Sequence, residues 1–218
     1  KRDEKPPFQT LQQIEYQIKR GKLTAEQADP LWDCLYLNTK ELDELLEHIH
    51  DRSGYSFLYP MSLLAAHTGM RRSELCRSRV TDIDLHSSTI LVQERKRNKS
   101  SRTSRLLPIS KRLKQVLRQW LDEKPASPFT FPEDHRCCRQ RKNQDEEGCV
   151  APDEATHHLS IVLANTKWKN IRGWHIFRHS FISNCATKGI DQRFIDTWVG
   201  HQTDEQRRRY RHLFPDSQ

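Results

Sequence analysis

Residues 173–213 read GWHIFRHSFISNCATKGIDQRFIDTWVGHQTDEQRRRYRHL, and their punctuation divides this part of the chain into short helices. Trp174, Phe177, Phe181 and Ile182 recur at helical spacing and predict one helix, which Gly189 ends. Asp191 is placed to cap a second helix carrying Phe194, Ile195, Trp198 and Val199. Gly200 breaks that helix, and Thr203 is placed to cap a third that carries Tyr210. The chemically capable residues keep an ordered spacing: His175 and Arg178 three apart, Gly200-His201, then Tyr210 nine residues after His201. Three-residue spacing brings His175 and Arg178 to one helix face, whereas His179, also a candidate, is offset by one residue and is read as turned away from Arg178.

A second landmark lies upstream in HTGMRRSEL, residues 67–75, where Thr68-Gly69 breaks an apolar helix and Arg71 follows at the next helix start. Two arginines, two histidines and a tyrosine suit one chemistry, displacement at a phosphodiester by a phenolic oxygen. A free phenol has a pKa of about 10 and is a poor nucleophile at neutral pH. It must be aligned with the phosphate while cations stabilise the charge that develops in the five-coordinate transition state. Arginine fits that task because its rigid fork meets two phosphate oxygens and stays charged. Arg71 and Arg178 form the candidate pair. Tyr16, Tyr36, Tyr55 and Tyr59 lack the ordered basic neighbourhood that surrounds Tyr210.

These spaced motifs resemble the catalytic domain of the tyrosine recombinases, the phage-integrase class of DNA strand-exchange enzymes, over residues 37 to about 214. The resemblance implies that Arg71 is the family's first arginine and Glu74 its supporting acid. It places the family's His-x-x-Arg on His175 and Arg178, its Gly-His on Gly200 and His201, and its nucleophile on Tyr210. The family's hairpin lysine, the acid that protonates the departing 5′ oxygen, falls on Lys96 or Lys99. Lys96 is preferred because it directly follows a strand, whereas Lys99 lies nearer the turn tip. Arg72, Arg95, Arg97, Lys99, Arg102, Arg105 and Arg209 are then expected to contact DNA. The resemblance further implies a cycle without cofactor or metal through a 3′-phosphotyrosyl intermediate. It implies double-stranded DNA as partner, a homodimer on each site, a homotetramer in synapsis, and a cytoplasmic, nucleoid-associated location. A type IB topoisomerase uses a similar residue set, and a noncatalytic DNA-binding module is the other alternative. A metal-dependent nuclease lacks its compact carboxylate cluster here.

The remaining sequence predicts a mainly α fold with a small three-stranded antiparallel β-sheet, the fold the resemblance also implies. Residues 1–10 read as a linker, and Phe8 to Lys19 and a segment near Ala25 as short helices, in an N-terminal stretch, 1–36, that leads from a separate DNA-clamping domain. The catalytic domain is expected over 37–218. Asn38 or Thr39, with Glu41, caps a helix that buries Leu42, Leu45, Leu46 and Ile49. Phe57 to His67 forms the next. Strands are expected at 80–85, 89–92 and 103–109, with a basic turn at 94–102 and Pro108 at an end or edge. Ser110 caps a helix through Leu113, Val116, Leu117 and Leu121. Residues 123–153 read as an insertion with little predictable structure, and Glu154 to Ala164 as a helix. The chain runs eight residues past Tyr210, so either assembly without an exchanged C-terminal segment or a trimmed chain is expected.

Composition agrees with this reading. The 37 Lys and Arg against 29 Asp and Glu give a net charge of +8, clustered without an intervening acid from Arg95 to Arg105 and again around Tyr210. Such surfaces favour phosphate backbones. The chain contains no apolar run of about 18 residues and no apolar targeting segment near the first residue given. Six cysteines in so long a chain do not make a disulfide framework. His135, Cys137, Cys138 and Cys149 lack the paired-knuckle spacing of a structural zinc site and read as a loosely ordered loop.

Overall fold

The computed structural model describes residues 6–93, 104–133, 148–200 and 207–215. The chain starts with β1 (Gln9–Thr10), passes through α1 (Leu11–Gly21) and α2 (Ala25–Trp32), and returns as β2 (Leu35–Tyr36), parallel to β1. Thr10 and Thr24 cap the two helices through reciprocal hydrogen bonds with Gln13 and Gln27. The helices match expectation, but the strand pair does not announce itself, because two residues are too few for an alternation to register. Then follow α3 (Thr39–Arg52), capped by Asn38 and Glu41 as read, α4 (Leu58–Thr68) and α5 (Arg72–Arg77).

The sheet is β3 (Ile83–Asp84), β4 (Thr89–Gln93) and β5 (Ser104–Pro108), antiparallel in that order, with Pro108 at the end of an edge strand. The strand expected at 80–85 covers only Ile83–Asp84. Asp82 accepts a hydrogen bond from the Arg79 N–H at 2.8 Å and curls Val80–Asp82 into a 3-10 turn. Ser110 caps α6 (Lys111–Glu123), and α7 (Pro152–Leu163), α8 (His175–Thr187) and α9 (Gln192–Val199) follow.

Helix α4 is the axis of the body. It is buried on every face, as expected of a helix apolar all round, and packs against α3, α6 and α8. Leu45, Leu46 and Ile49 of α3, Leu113 and Leu117 of α6 and Phe177 of α8 share its cluster. Each such side chain contributes about 1.5–3 kcal/mol by leaving water.

The flanks of the 123–153 stretch pack into the body: Phe131 and Val150 are fully buried, and the Trp120 indole donates to the Thr130 carbonyl at 2.8 Å. Phe129 bridges Arg79, and Pro132 bridges Cys149. Its flanks thus belong to the core, while residues 134–147, with His135, Cys137 and Cys138, lie outside the described residues. The described part of the N-terminal stretch also packs against the body. Phe8, Ile14 and Leu35 are buried, and the Leu37 N–H donates to buried Ser180 of α8 at 2.9 Å. A second, smaller cluster joins Phe8, Cys34 and Tyr36 to Ile182, Ile195, Val199 and Tyr210. Among the described residues no helix is long and apolar enough to cross a membrane.

Candidate active site

Three successive carbonyls at the end of α9 each hold a different arginine. Trp198 O accepts from Arg105 Nε at 2.7 Å and Val199 O from Arg178 Nη2 at 2.7 Å, while Gly200 O lies 3.5 Å from Arg71 Nη2. A helix C-terminus leaves its last carbonyls unsatisfied and carries partial negative charge, so this is a natural seat for cations. Gly200 closes α9 in the left-handed conformation (φ 67°). His201 follows it and lies outside the described residues.

Arg178 is buried and makes a second bond, Nη1 to Gly69 O at 2.7 Å. Gly69 ends α4 at φ 64°, and a Cβ there would lie 2.7 Å from Phe181 Cδ1 and 3.0 Å from Val199 Cγ1. Only glycine lets α8 and α9 close on this turn. Burial, then repulsion from Arg71, pushes the Arg178 pKa down to about 9, so its guanidinium still carries charge at neutral pH. Arg71 sits at the N-cap of α5, half-buried, its backbone N–H and its Nη1 both bonded to Glu74, at 2.7 and 2.9 Å.

Glu74 is buried and grips two arginines. Arg105 donates to it twice, at 3.1 and 2.6 Å. Burial pushes the Glu74 carboxyl up, but the bonds and charges of Arg105 and Arg71 more than offset this and hold it below the usual carboxylate range. Arg105, expected from the sequence to contact DNA, is bonded here within the protein. An inward position on β5 leaves Arg105 only 7% exposed and engages its guanidinium with Glu74 and Trp198 O. Arg105→Met should therefore cost about 3–5 kcal/mol by leaving the buried Glu74 carboxylate with Arg71 in place of two arginines. Adding Glu74→Gln should recover much of that loss, as read by urea midpoints. A double variant no more stable than Arg105→Met contradicts the pairing.

Tyr210 is buried at 3% exposure, and its hydroxyl lies 2.9 Å from His179 Nδ1. The Phe8 ring stacks on Tyr210 (centroids 4.4 Å apart) and also packs against His179 at 4.3 Å. Burial pushes the phenol well above its ordinary pKa, with the charges of Arg178 and Arg209 pulling the other way. The sequence reading weighed His179 as a candidate but set it aside as turned away from the Arg178 face. Four-residue spacing puts it on one face with His175, 5.9 Å away between ring centroids, and that spacing was the available signal. His175 opens α8. Desolvation, then the charges of Arg178, Arg72 and Arg71, lowers its pKa and favours the neutral imidazole.

Arg72 bonds Thr156 at 2.5 Å and lies 3.6 Å from Asp153. Arg209 lays its guanidinium over Phe8, 3.9 Å from the ring centre, and reaches Cys34 Sγ at 3.5 Å. Lys96, Lys99, Arg95, Arg97 and Arg102 lie outside the described residues. The described residues thus bring together Arg71, Glu74, Arg178, His175 and Tyr210.

A helical body, a three-stranded sheet and two arginines converging on the helix end before a Gly-His define a DNA strand-exchange enzyme of the tyrosine-recombinase class. The chain belongs to the phage integrase family, whose sequence model matches residues 36–216. It is 27% identical over 167 residues to the type 1 fimbriae regulatory protein FimB of Escherichia coli K12, covering 77% of this chain and 78% of that one. It is 30% identical over 140 residues to tyrosine recombinase XerA of Pyrococcus horikoshii, covering 64% of this chain and 44% of that one. The chain therefore spans less than half the length of that relative. Among solved structures it is similar to XerA recombinase, with TM-score 0.62, 18% identity, and coverage of 94% and 78%. It is also similar to the Tn1549 transposon integrase in complex with circular intermediate DNA, with TM-score 0.64, 17% identity, and coverage of 94% and 81%. These two structures share the fold. The chain is a site-specific DNA recombinase of this family.

Proposed function

We propose that this chain cleaves and rejoins double-stranded DNA with Tyr210 as nucleophile, forming a 3′-phosphotyrosyl bond and a free 5′ hydroxyl. The observation that carries the reading is the pair Arg71 and Arg178, fixed by neighbouring carbonyls and by Glu74, with the Arg178 charge felt at the Tyr210 phenol. Two preorganised guanidinium groups stabilise a phosphorane better than water does, because they need no reorientation as charge develops. His175, neutral, donates one N–H to a phosphate oxygen, and His201 supplies a second donor. A 5′ hydroxyl from a partner strand then attacks the phosphotyrosine and reseals the backbone, so the bond energy is conserved. Residues 37–218 form the catalytic unit, a homodimer occupies each site, and two such pairs form the synaptic tetramer. No step in this cycle calls for a cofactor.

The test is a nicked suicide duplex carrying sequence from the flanks of the protein's own genomic element. A covalent protein–DNA adduct on a denaturing gel, with its peptide mapped to Tyr210, is the expected result. An adduct mapped to another residue, or none on that DNA, overturns the reading.

The general acid is assigned to Lys96, with Lys99 as the alternative. Lys96→Ala should slow cleavage by roughly 10²- to 10⁴-fold, the range for a positioned proton donor. Replacing the bridging 5′ oxygen by sulfur supplies a leaving group that needs little protonation and should restore that variant selectively. Restoration of Lys99→Ala instead moves the assignment three residues along the hairpin.

A further inference from the structure

We infer that His179 is a further catalytic residue, the proton acceptor for the Tyr210 hydroxyl. The inference rests on the reading of Tyr210 as nucleophile and adds a group that the sequence spacing had turned away from the site. His179 Nδ1 lies 2.9 Å from the phenolic oxygen, within the reach required of a general base. The rings are held in that relation. Phe8 packs against both, and α8 fixes the histidine backbone while the turn before Arg211–Leu213 fixes the tyrosine. His212 Nε2 lies 3.0 Å from the Phe8 carbonyl, which ties the packing residue to the same segment. A preset contact of this kind spares the reaction the cost of bringing base and nucleophile together.

A buried phenol also has more need of a base than an exposed one. Water does not solvate the phenolate there, and burial raises the pKa of Tyr210. In the forward step the Tyr210 oxygen bonds to phosphorus as its O–H proton passes to His179 Nδ1, giving an imidazolium. The bond from phosphorus to the 5′ oxygen breaks, and that oxygen takes its proton from the hairpin lysine. On rejoining, the incoming 5′ hydroxyl gives its proton back to the lysine amine, and the imidazolium returns the first proton to the departing phenol. The acceptor role requires the tautomer protonated on Nε2. Beside the two histidines lies a pocket of about 510 Å³, lined also by Trp32, Cys34, Arg172 and Arg209. It gives small solutes a route to the ring position.

The test uses the full chain and the suicide duplex. His179→Ala should slow adduct formation by roughly 10²- to 10⁴-fold at unchanged duplex affinity, and added imidazole should recover at least tenfold. His179→Gln offers an amide oxygen as hydrogen-bond acceptor but takes no proton, so it should stay nearly as slow as the alanine variant. 3-Fluorotyrosine at position 210, a more acidic phenol, should narrow the gap between the wild-type residue and alanine at position 179. A purely structural role for His179 leaves that gap unchanged. Cleavage by His179→Gln within threefold of wild type, or no narrowing with fluorotyrosine, overturns the inference. If Tyr210→Phe still forms an adduct, the nucleophile assignment has failed instead. If that variant is inactive while His179→Ala matches wild type, only the role of His179 has failed.

Discussion

Tyr210→Phe should form no covalent adduct with suicide DNA at any time or enzyme concentration, while binding the same duplex with nearly unchanged affinity. The substitution removes one oxygen. The ring that stacks on Phe8 and belongs to the smaller cluster with Ile195 and Val199 is kept. Folding should lose only about 1 kcal/mol, the net worth of a typical hydrogen bond, in this case the one to His179. A catalytic effect without bound is therefore expected beside a small structural one, and that contrast separates a nucleophile from a packing tyrosine. Adduct formation by the phenylalanine variant excludes Tyr210. A loss of adduct that simply tracks a loss of fold, read by thermal melting, removes the support this variant gives.

Arg178→Ala should slow cleavage by about 10³-fold, the upper range for removing one preorganised donor from a developing anion. It should also destabilise the fold, because the Gly69 and Val199 carbonyls lose their buried donors at about 1–3 kcal/mol each. The two effects are separable. A substrate whose scissile phosphate carries methyl in place of a nonbridging oxygen has no negative charge to neutralise, so it should restore much of the lost rate without altering the melting temperature. Arg178→Lys should remain slow on ordinary DNA, because a single ammonium does not span the two carbonyls and a phosphate together. If the neutral substrate leaves Arg178→Ala as slow as before, the guanidinium acts by holding α4 and α9 together and not by meeting the phosphate.

Residue spacing in one dimension was enough to locate most of the fold and to order the candidate site residues. Caps at Asn38, Ser110 and Asp191, breaks at Gly69 and Gly200, and the apolar stripe of α3 are local signals, because backbone hydrogen bonding and burial within one helix depend on near neighbours. The order Arg71, His175-x-x-Arg178, Gly200-His201, Tyr210 was legible for the same reason. What each arginine does with its charge was not. Arg105 reads like its neighbours in a basic run, yet the two-residue period of β5 turns it inward to Glu74, and only the packing of the sheet against α9 supplies its partners. His179 was discarded because one helix face was measured from Arg178. Tyr210 approaches from another part of the chain, and Phe8, some 200 residues away, completes the contact. Sequence by itself determined which residues of this protein lie on helices, where those helices stop, and which family its motifs follow. The tertiary structure decided which charges are buried in pairs, which histidine meets the tyrosine, and that Phe8 of the N-terminal stretch packs on both, because contacts between distant segments depend on how their helices pack.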